Sequence, residues 1–194
     1  MKRIVIFASG NGTNAQRIID YFQGRTDTQV VQILSNNKDA KVLERAKAAS
    51  VAAFSFNKIA LYNRDDVLHL VKSAKPDLIV LAGFLWLFPK KIIEAFPNKI
   101  INIHPALLPQ FGGKGMYGKY VHEAVCAFAK TQNEAVLSGI TIHYVTPEYD
   151  KGAIIFQATV PVAPEETPES LAKKIHTLEQ QHFPIVIDTL LKEK

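Results

Sequence analysis

The strongest constraint on this chain is a regular alternation, over its first hundred residues, of short apolar runs with amphipathic segments. The runs "KRIVIFA", "QVVQILS", "VAAFSF", "DLIVLAG" and "KIINI" read as strands. Between them "NAQRIIDYFQ", "AKVLERAKAA", "RDDVLHLVKSA" and the shorter "PKKIIEAF" read as helices. The strand runs are apolar nearly throughout, as expected where both sheet faces are covered. Strand and helix lengths of this kind require right-handed crossovers and a parallel sheet. After Pro109 the pattern changes. A glycine-rich loop leads to a helix near residues 119 to 130, followed by "AVLSGITIHYVT" and "AIIFQATVPV", joined through "PEYDKG". These two runs read as an antiparallel pair extending the sheet. "TPESLAKKIHTLEQQHFPIVIDTLLK" closes the chain as a helix, with Thr167 as N-cap, Pro168 in the first turn and a break or kink expected near Pro184. The expected fold is α/β: one Rossmann-like domain over 1–194, a mostly parallel twisted sheet with helices on both faces and an antiparallel C-terminal strand pair.

Composition supports a globular chain and excludes several classes. Of 194 residues, 47% are hydrophobic and 21% charged, enough for a sizeable core. No apolar run approaches the roughly 18 to 20 residues of a membrane span, and the N-terminal run is short and leads into a glycine turn instead of a cleavage site. The single cysteine, Cys126, rules out an internal disulfide and a cysteine-based metal cluster, and fits a reducing cytoplasm. A net charge of +5 suits acidic small molecules, but the basic residues are spread out with no block of the kind that binds nucleic acid.

In such sheets, ligands bind beyond the carboxyl ends of the strands. Three groups of unusual residues are expected there: "SGNGTN" after the first strand, "NIHP" at the fifth and "PEYDKG" after the sixth. In the first, Gly10 and Gly12 permit a tight turn, and the helix starting near Thr13 offers unpaired N–H groups to a phosphate, assisted by Thr13 and Asn14. A dinucleotide site would call for an acidic residue at the end of the second strand, where Ser35, Asn36 and Asn37 stand instead; a single phosphate fits better than NAD.

At the fifth strand, Asn102 and His104 are two positions apart and share a face, and Pro105 ends the pairing. An amide donor beside an imidazole suits acyl transfer: one binds a developing oxyanion, the other moves a proton near neutral pH. Asp150 is the best-placed carboxylate to orient or charge the histidine, with Asp77 and Glu94 as weaker candidates. No Ser or Cys stands in an elbow to form a covalent intermediate, and no histidine has metal-ligand spacing, so no metal is expected. His143 reads equally well as support for the site or as core.

"SGNGTN", "LAGF", "NIHPALLP" and "HYVTPEYDKG" together resemble the phosphoribosylglycinamide formyltransferase family of folate-dependent formyltransferases, over essentially the whole chain. The resemblance implies the formyltransferase fold, a phosphate-binding half (1–102) and a catalytic and folate-binding half (103–194). It implies direct transfer of the formyl group of 10-formyltetrahydrofolate to the amine of glycinamide ribonucleotide, in purine biosynthesis. Asn102, His104 and Asp150 would be catalytic. Gly12, Thr13, Asn14 and Glu179 would hold the ribonucleotide, and Arg64, Leu85, Trp86, Leu87, Phe88, Asn102 and Val145 the folate. Asp150 would raise the His104 pKa by proximity, and a protonated His104 would join Asn102 in binding the oxyanion. The implied partners are these two small molecules, without nucleic acid or membrane, for a cytoplasmic monomer or homodimer.

Three features depart from the family pattern. Trp86 stands where relatives often carry Arg, and His176 where they often carry Lys or Gln near the phosphate. The loop with Gly112, Gly113, Gly115 and Gly118 is longer than in many members. Within the superfamily, a tRNA formyltransferase would need a further C-terminal domain and a formyl-folate hydrolase a regulatory N-terminal one, and neither is expected here.

Overall fold

The computed structural model describes residues 1–193. In chain order the elements are β1 (Lys2–Phe7), α1 (Thr13–Phe22), β2 (Thr28–Ser35), α2 (Lys41–Ala48) and β3 (Ala52–Ser55), followed by a π-helical turn (Ile59–Asn63). Then come α3 (Asp66–Ala74), β4 (Leu78–Leu81), α4 (Lys90–Ala95), β5 (Ile100–His104) and α5 (Lys119–Gln132). β6 (Val136–Tyr144), β7 (Ile154–Val162) and α6 (Pro168–Lys192) complete the chain. One sheet has the order β3-β2-β1-β4-β5-β6-β7, parallel from β3 to β5 and antiparallel beyond. This is the α/β arrangement expected from the sequence.

The continuous apolar strands are explained by burial on two faces. Ile4, Ile6, Leu78, Val80, Ile101 and Ile103 pack under α1, α2, α5 and α6. Val5, Phe7, Ile79, Leu81 and Ile100 pack under α3 and α4. Each such side chain, fully buried, contributes about 1.5–3 kcal/mol.

The strand order reverses at β1, which has β2 on one side and β4 on the other. A crevice opens at such a switch point. Its two walls are tied together: the Ser9 amide donates to the Gly83 carbonyl at 3.0 Å, and the Leu85 amide to Ser9 Oγ at 3.0 Å.

Two expectations are corrected. β6 runs antiparallel to β5, with Tyr144 opposite Ile101, so "PEYDKG" leaves the sheet well below the carboxyl edge. The loop then climbs back over the sheet to deliver Asp150 beside His104. Gly152 permits this path, because a Cβ there would lie 1.6 Å from the Tyr144 carbonyl oxygen. Second, of the break or kink expected near Pro184 the break is absent, because α6 is a single helix of 25 residues that runs through Pro184. A proline deprives the carbonyl four residues earlier of its donor. That carbonyl, on Gln180, accepts instead from Arg17 Nε of α1 at 3.1 Å. At the start of α6 the expected cap is present, with Thr167 Oγ1 accepting from the Ser170 amide at 3.2 Å.

Candidate active site

β5 and β6 build the centre. Their register sets Asn102 opposite His143. His143 Nδ1 lies 2.8 Å from the Tyr144 carbonyl, which can only accept, so the proton is on Nδ1 and Nε2 is left as an acceptor. Asn102 Nδ2 donates to that Nε2 at 3.1 Å. One N–H of the Asn102 amide is thereby used to aim the group, and the other remains for a ligand. His143 is only 2% exposed, and its role here is as the partner that orients Asn102.

His104, 3% exposed, has both ring nitrogens facing protein groups. Nε2 is 2.8 Å from the Phe111 carbonyl and so carries the proton. Nδ1 is 3.7 Å from Asp150 Oδ2. Asp150 stands between two imidazoles, its Oδ1 being 3.6 Å from His143 Nε2, and its Oδ2 accepts from the Gly113 amide at 2.9 Å. Its backbone adopts the left-handed conformation (φ 54°), which Asp tolerates better than most residues.

The charges follow from these surroundings. Burial pushes the His104 pKa below its ordinary value, and the Asp150 charge and the Phe111 carbonyl oppose this without overcoming it. The resting imidazole is therefore neutral near pH 7, although Asp150 raises its pKa in the expected direction. Desolvation outweighs one carboxylate at this separation. For Asp150 itself burial acts to raise the pKa, but its surroundings, the His143 and His104 imidazoles on either side and the Gly113 amide, together bring it below the usual carboxylate value. Asp150 is ionised and His104 is not.

This centre forms part of the wall of a cavity of about 600 Å³. Leu85, Trp86, Leu87, Phe88 and Val145 line it, as do Asn14 of α1 and Glu179 of α6. Phe84, Phe88 and Phe7 pack edge to face behind the first group. Of the residues expected to hold the folate, Leu85, Trp86, Leu87, Phe88, Asn102 and Val145 line this one space, and of those expected to hold the ribonucleotide, Asn14 and Glu179 do, together with His104 and Asp150.

The first loop is built as its glycines suggest. Gly12 has φ 73°, and a Cβ there would lie 2.4 Å from Val42 Cγ2 and 2.9 Å from Val42 Cα. The helix α1 begins at Thr13 and presents its first-turn amides, a phosphate-binding end. Asn14 is committed differently from expectation. Its Nδ2 donates to Glu179 Oε2 at 2.9 Å and its Oδ1 accepts from Gln180 Nε2 at 2.6 Å, so the side chain chiefly fastens α1 to α6. Gly12 and Thr13 do not line the cavity. Arg64 is also outside it, exposed at the end of the π-helical turn, where its carbonyl accepts from Lys91.

Sequence reasoning did not identify His122, Tyr117, Phe111 or Gly113 as site residues. His122 and Tyr117 line the cavity, and Phe111 and Gly113 act through backbone groups that no side-chain pattern marks.

Residues 2–187 match the formyl transferase family. The chloroplastic phosphoribosylglycinamide formyltransferase of Arabidopsis thaliana is 36% identical over the whole chain. The chain spans 66% of that plant protein and 62% of the one from Vigna unguiculata, just under two thirds of each. The Bacillus subtilis phosphoribosylglycinamide formyltransferase is 33% identical, covering 98% of this chain and 95% of its own. Among solved structures, glycinamide ribonucleotide transformylase 1 from Symbiobacterium toebii superposes with a TM-score of 0.87 at 34% identity, over 100% of this chain and 89% of that one. Its counterpart from Geobacillus kaustophilus gives 0.83 at 36% identity, over 98% and 99%.

Proposed function

Because this chain belongs to the formyl transferase family, we propose that it transfers the formyl group of 10-formyltetrahydrofolate to the amine of glycinamide ribonucleotide, a step of de novo purine (IMP) biosynthesis. The observation that carries this reading is the gathering of Asn102, His104 and Asp150 in one cavity whose wall also holds the apolar and aromatic residues Leu85 to Phe88 and polar groups of α1 and α6.

The amine attacks the formyl carbon and the carbonyl oxygen becomes an oxyanion. The free N–H of Asn102, already aimed by His143, is the preset donor to that oxygen. His104 contributes once its Nε2–H exchanges the Phe111 carbonyl for the substrate, and charge developing in the cavity draws a proton onto the imidazole. Asp150, ionised and next to the imidazole, balances that charge. It, or a water it holds, takes the proton from the attacking nitrogen and returns it to the departing folate nitrogen. The helix end at Gly12 and Thr13 would receive the ribonucleotide phosphate, Asn14 and Glu179 would face the ribose side, and Leu85 to Phe88 with Val145 would take the pterin. Arg64 would meet the outer part of the folate. The division of labour between 1–102 and 103–194 belongs to the same reading.

The protein would act as a monomer or homodimer. Its partners would be the two small molecules and not nucleic acid. No described helix is long and apolar enough to cross a membrane, in keeping with a proposed cytoplasmic location. The test is release of tetrahydrofolate from 10-formyltetrahydrofolate with and without glycinamide ribonucleotide. Release that depends on the ribonucleotide is expected. Release without it would make the protein a hydrolase and overturn the reading.

A further inference from the structure

The helix α5 contributes one side chain to the cavity wall, that of His122. Its other buried residues are Val121, Val125, Cys126 and Ala129, so His122, 8% exposed, is the polar group on an apolar face. A histidine so placed is expected to be satisfied by protein groups. This one is not. Nδ1 is shut off from solvent without a hydrogen-bond partner, and Nε2 has no partner among the described residues either. Nε2 is not shut off in that way, so it is the nitrogen through which the ring opens to the cavity. The tautomer follows. A buried N–H without an acceptor is costlier and rarer than a buried lone pair without a donor, so Nδ1 is bare and the proton sits on Nε2. Burial lowers the His122 pKa, which keeps the ring neutral near pH 7 and preserves this arrangement. The cavity thus has an N–H donor with no protein acceptor. Resting on the functional reading above, we propose that His122 holds the acceptor substrate by donating Nε2–H to the carbonyl oxygen of its glycinamide group.

Place and chemistry select this group of the substrate. His122 shares the cavity wall with Glu179 of α6 and His104 of β5, and both are near enough to act on it electrostatically. In the proposed complex the ribose faces Glu179 and the attacking amine lies at Asn102, His104 and Asp150. The part of the acceptor that joins ribose to amine is the glycinamide amide. Its oxygen is an acceptor and matches a neutral N–H donor. The phosphate would call for charge, which this imidazole lacks, and the formyl oxygen already has the free N–H of Asn102. A bond to the amide oxygen fixes the plane of the glycinamide and with it the direction from which the amine meets the formyl carbon. It also discriminates. An amine without a neighbouring carbonyl would leave the Nε2–H unpaired in the filled site.

The test pairs a change in the protein with a change in the substrate. Glycinamide ribonucleotide and its analogue with sulfur in place of the glycinamide oxygen, a weaker acceptor, are compared on the wild type, His122→Phe and His122→Gln. The glutamine restores a side-chain N–H. For each, kcat/KM for the acceptor is measured at saturating 10-formyltetrahydrofolate, and the melting temperature is read. Trp86 is the chain's sole tryptophan and lines the cavity, so its emission reports folate affinity separately. Sulfur is expected to cost the wild type about tenfold in kcat/KM, the scale of one hydrogen bond, and to cost His122→Phe little. With the natural acceptor His122→Phe should lose about tenfold and His122→Gln less, while folate affinity does not move. A wild type indifferent to sulfur, a His122→Phe enzyme that loses as much to sulfur as the wild type, or a His122→Gln enzyme no better than His122→Phe would overturn the proposal while ribonucleotide-dependent transfer stands. The wild-type comparison decides even where His122→Phe does not fold. A wild type without ribonucleotide-dependent transfer would overturn the functional reading and this contact together.

Discussion

At the scale of single residues, the site depends on hydrogen bonds that fix orientation before a substrate arrives. Asn102 is held by His143, which the Tyr144 carbonyl holds in one tautomer. Asn102→Ala removes the preset oxyanion donor. It should lower kcat about a hundred- to a thousandfold, about 2.7–4 kcal/mol, without weakening the affinity for the ribonucleotide phosphate. Stopped-assay turnover near the wild-type rate would sink the assignment. The sequence pointed to Asn102 and His104 because two polar side chains in register at the end of an apolar strand demand a reason. It did not mark Phe111, whose backbone carbonyl holds His104 Nε2, because a carbonyl carries no residue identity.

At the scale of elements, two connections do what regular structure cannot. The loop from Val145 to Ala153 turns back from the low end of β6 and reaches the site only because Gly152 fits against Tyr144. Gly152→Ala would push this loop off its path and displace Asp150. A displacement near 1 Å should cost about a hundredfold in kcat, measured alongside circular dichroism to confirm folding. An unimpaired Gly152→Ala enzyme would show that Asp150 is positioned by other contacts. The second connection is Arg17 to the Gln180 carbonyl, which lets α6 continue past Pro184. Arg17→Met should cost about 0.5–1.5 kcal/mol in urea unfolding, because the carbonyl loses its donor. Pro184→Ala restores the helical N–H, so in that background Arg17→Met should cost less. Additive effects would mean that Arg17 does not substitute for the missing helical bond. The expectation of a break or kink near Pro184 treated α6 alone, whereas the donor for the freed carbonyl comes from a helix more than 160 positions earlier.

At the scale of the whole molecule, burial of histidines ties stability to pH. His104 and His122 are both buried, and desolvation lowers both pKa values below the ordinary value of about 6.5. The unfolded chain protonates them first, so the stability present above about pH 6.5 is lost as pH falls through the lower folded values. His176 acts oppositely, its pKa raised by its hydrogen bond to Glu179, but it is exposed and weighs less. Tm should fall between about pH 7.5 and about pH 5, and His122→Phe should flatten the fall. A Tm that is constant or rises over that range would contradict this balance. Periodicity and apolar run length, read from the sequence by itself, determined the sheet's parallel part, the helices on both faces and the antiparallel pair, because burial of two faces and of one leave different residue patterns. The glycines of the first loop and the Asn–His pair likewise announced a ligand edge. What only the tertiary structure decided is which groups meet: His143 with Asn102, Asp150 between two imidazoles, Asn14 with Glu179, and a neutral His104. Those outcomes depend on strand direction, loop return and the desolvation of neighbours far apart in the chain, none of which a local pattern of residues contains.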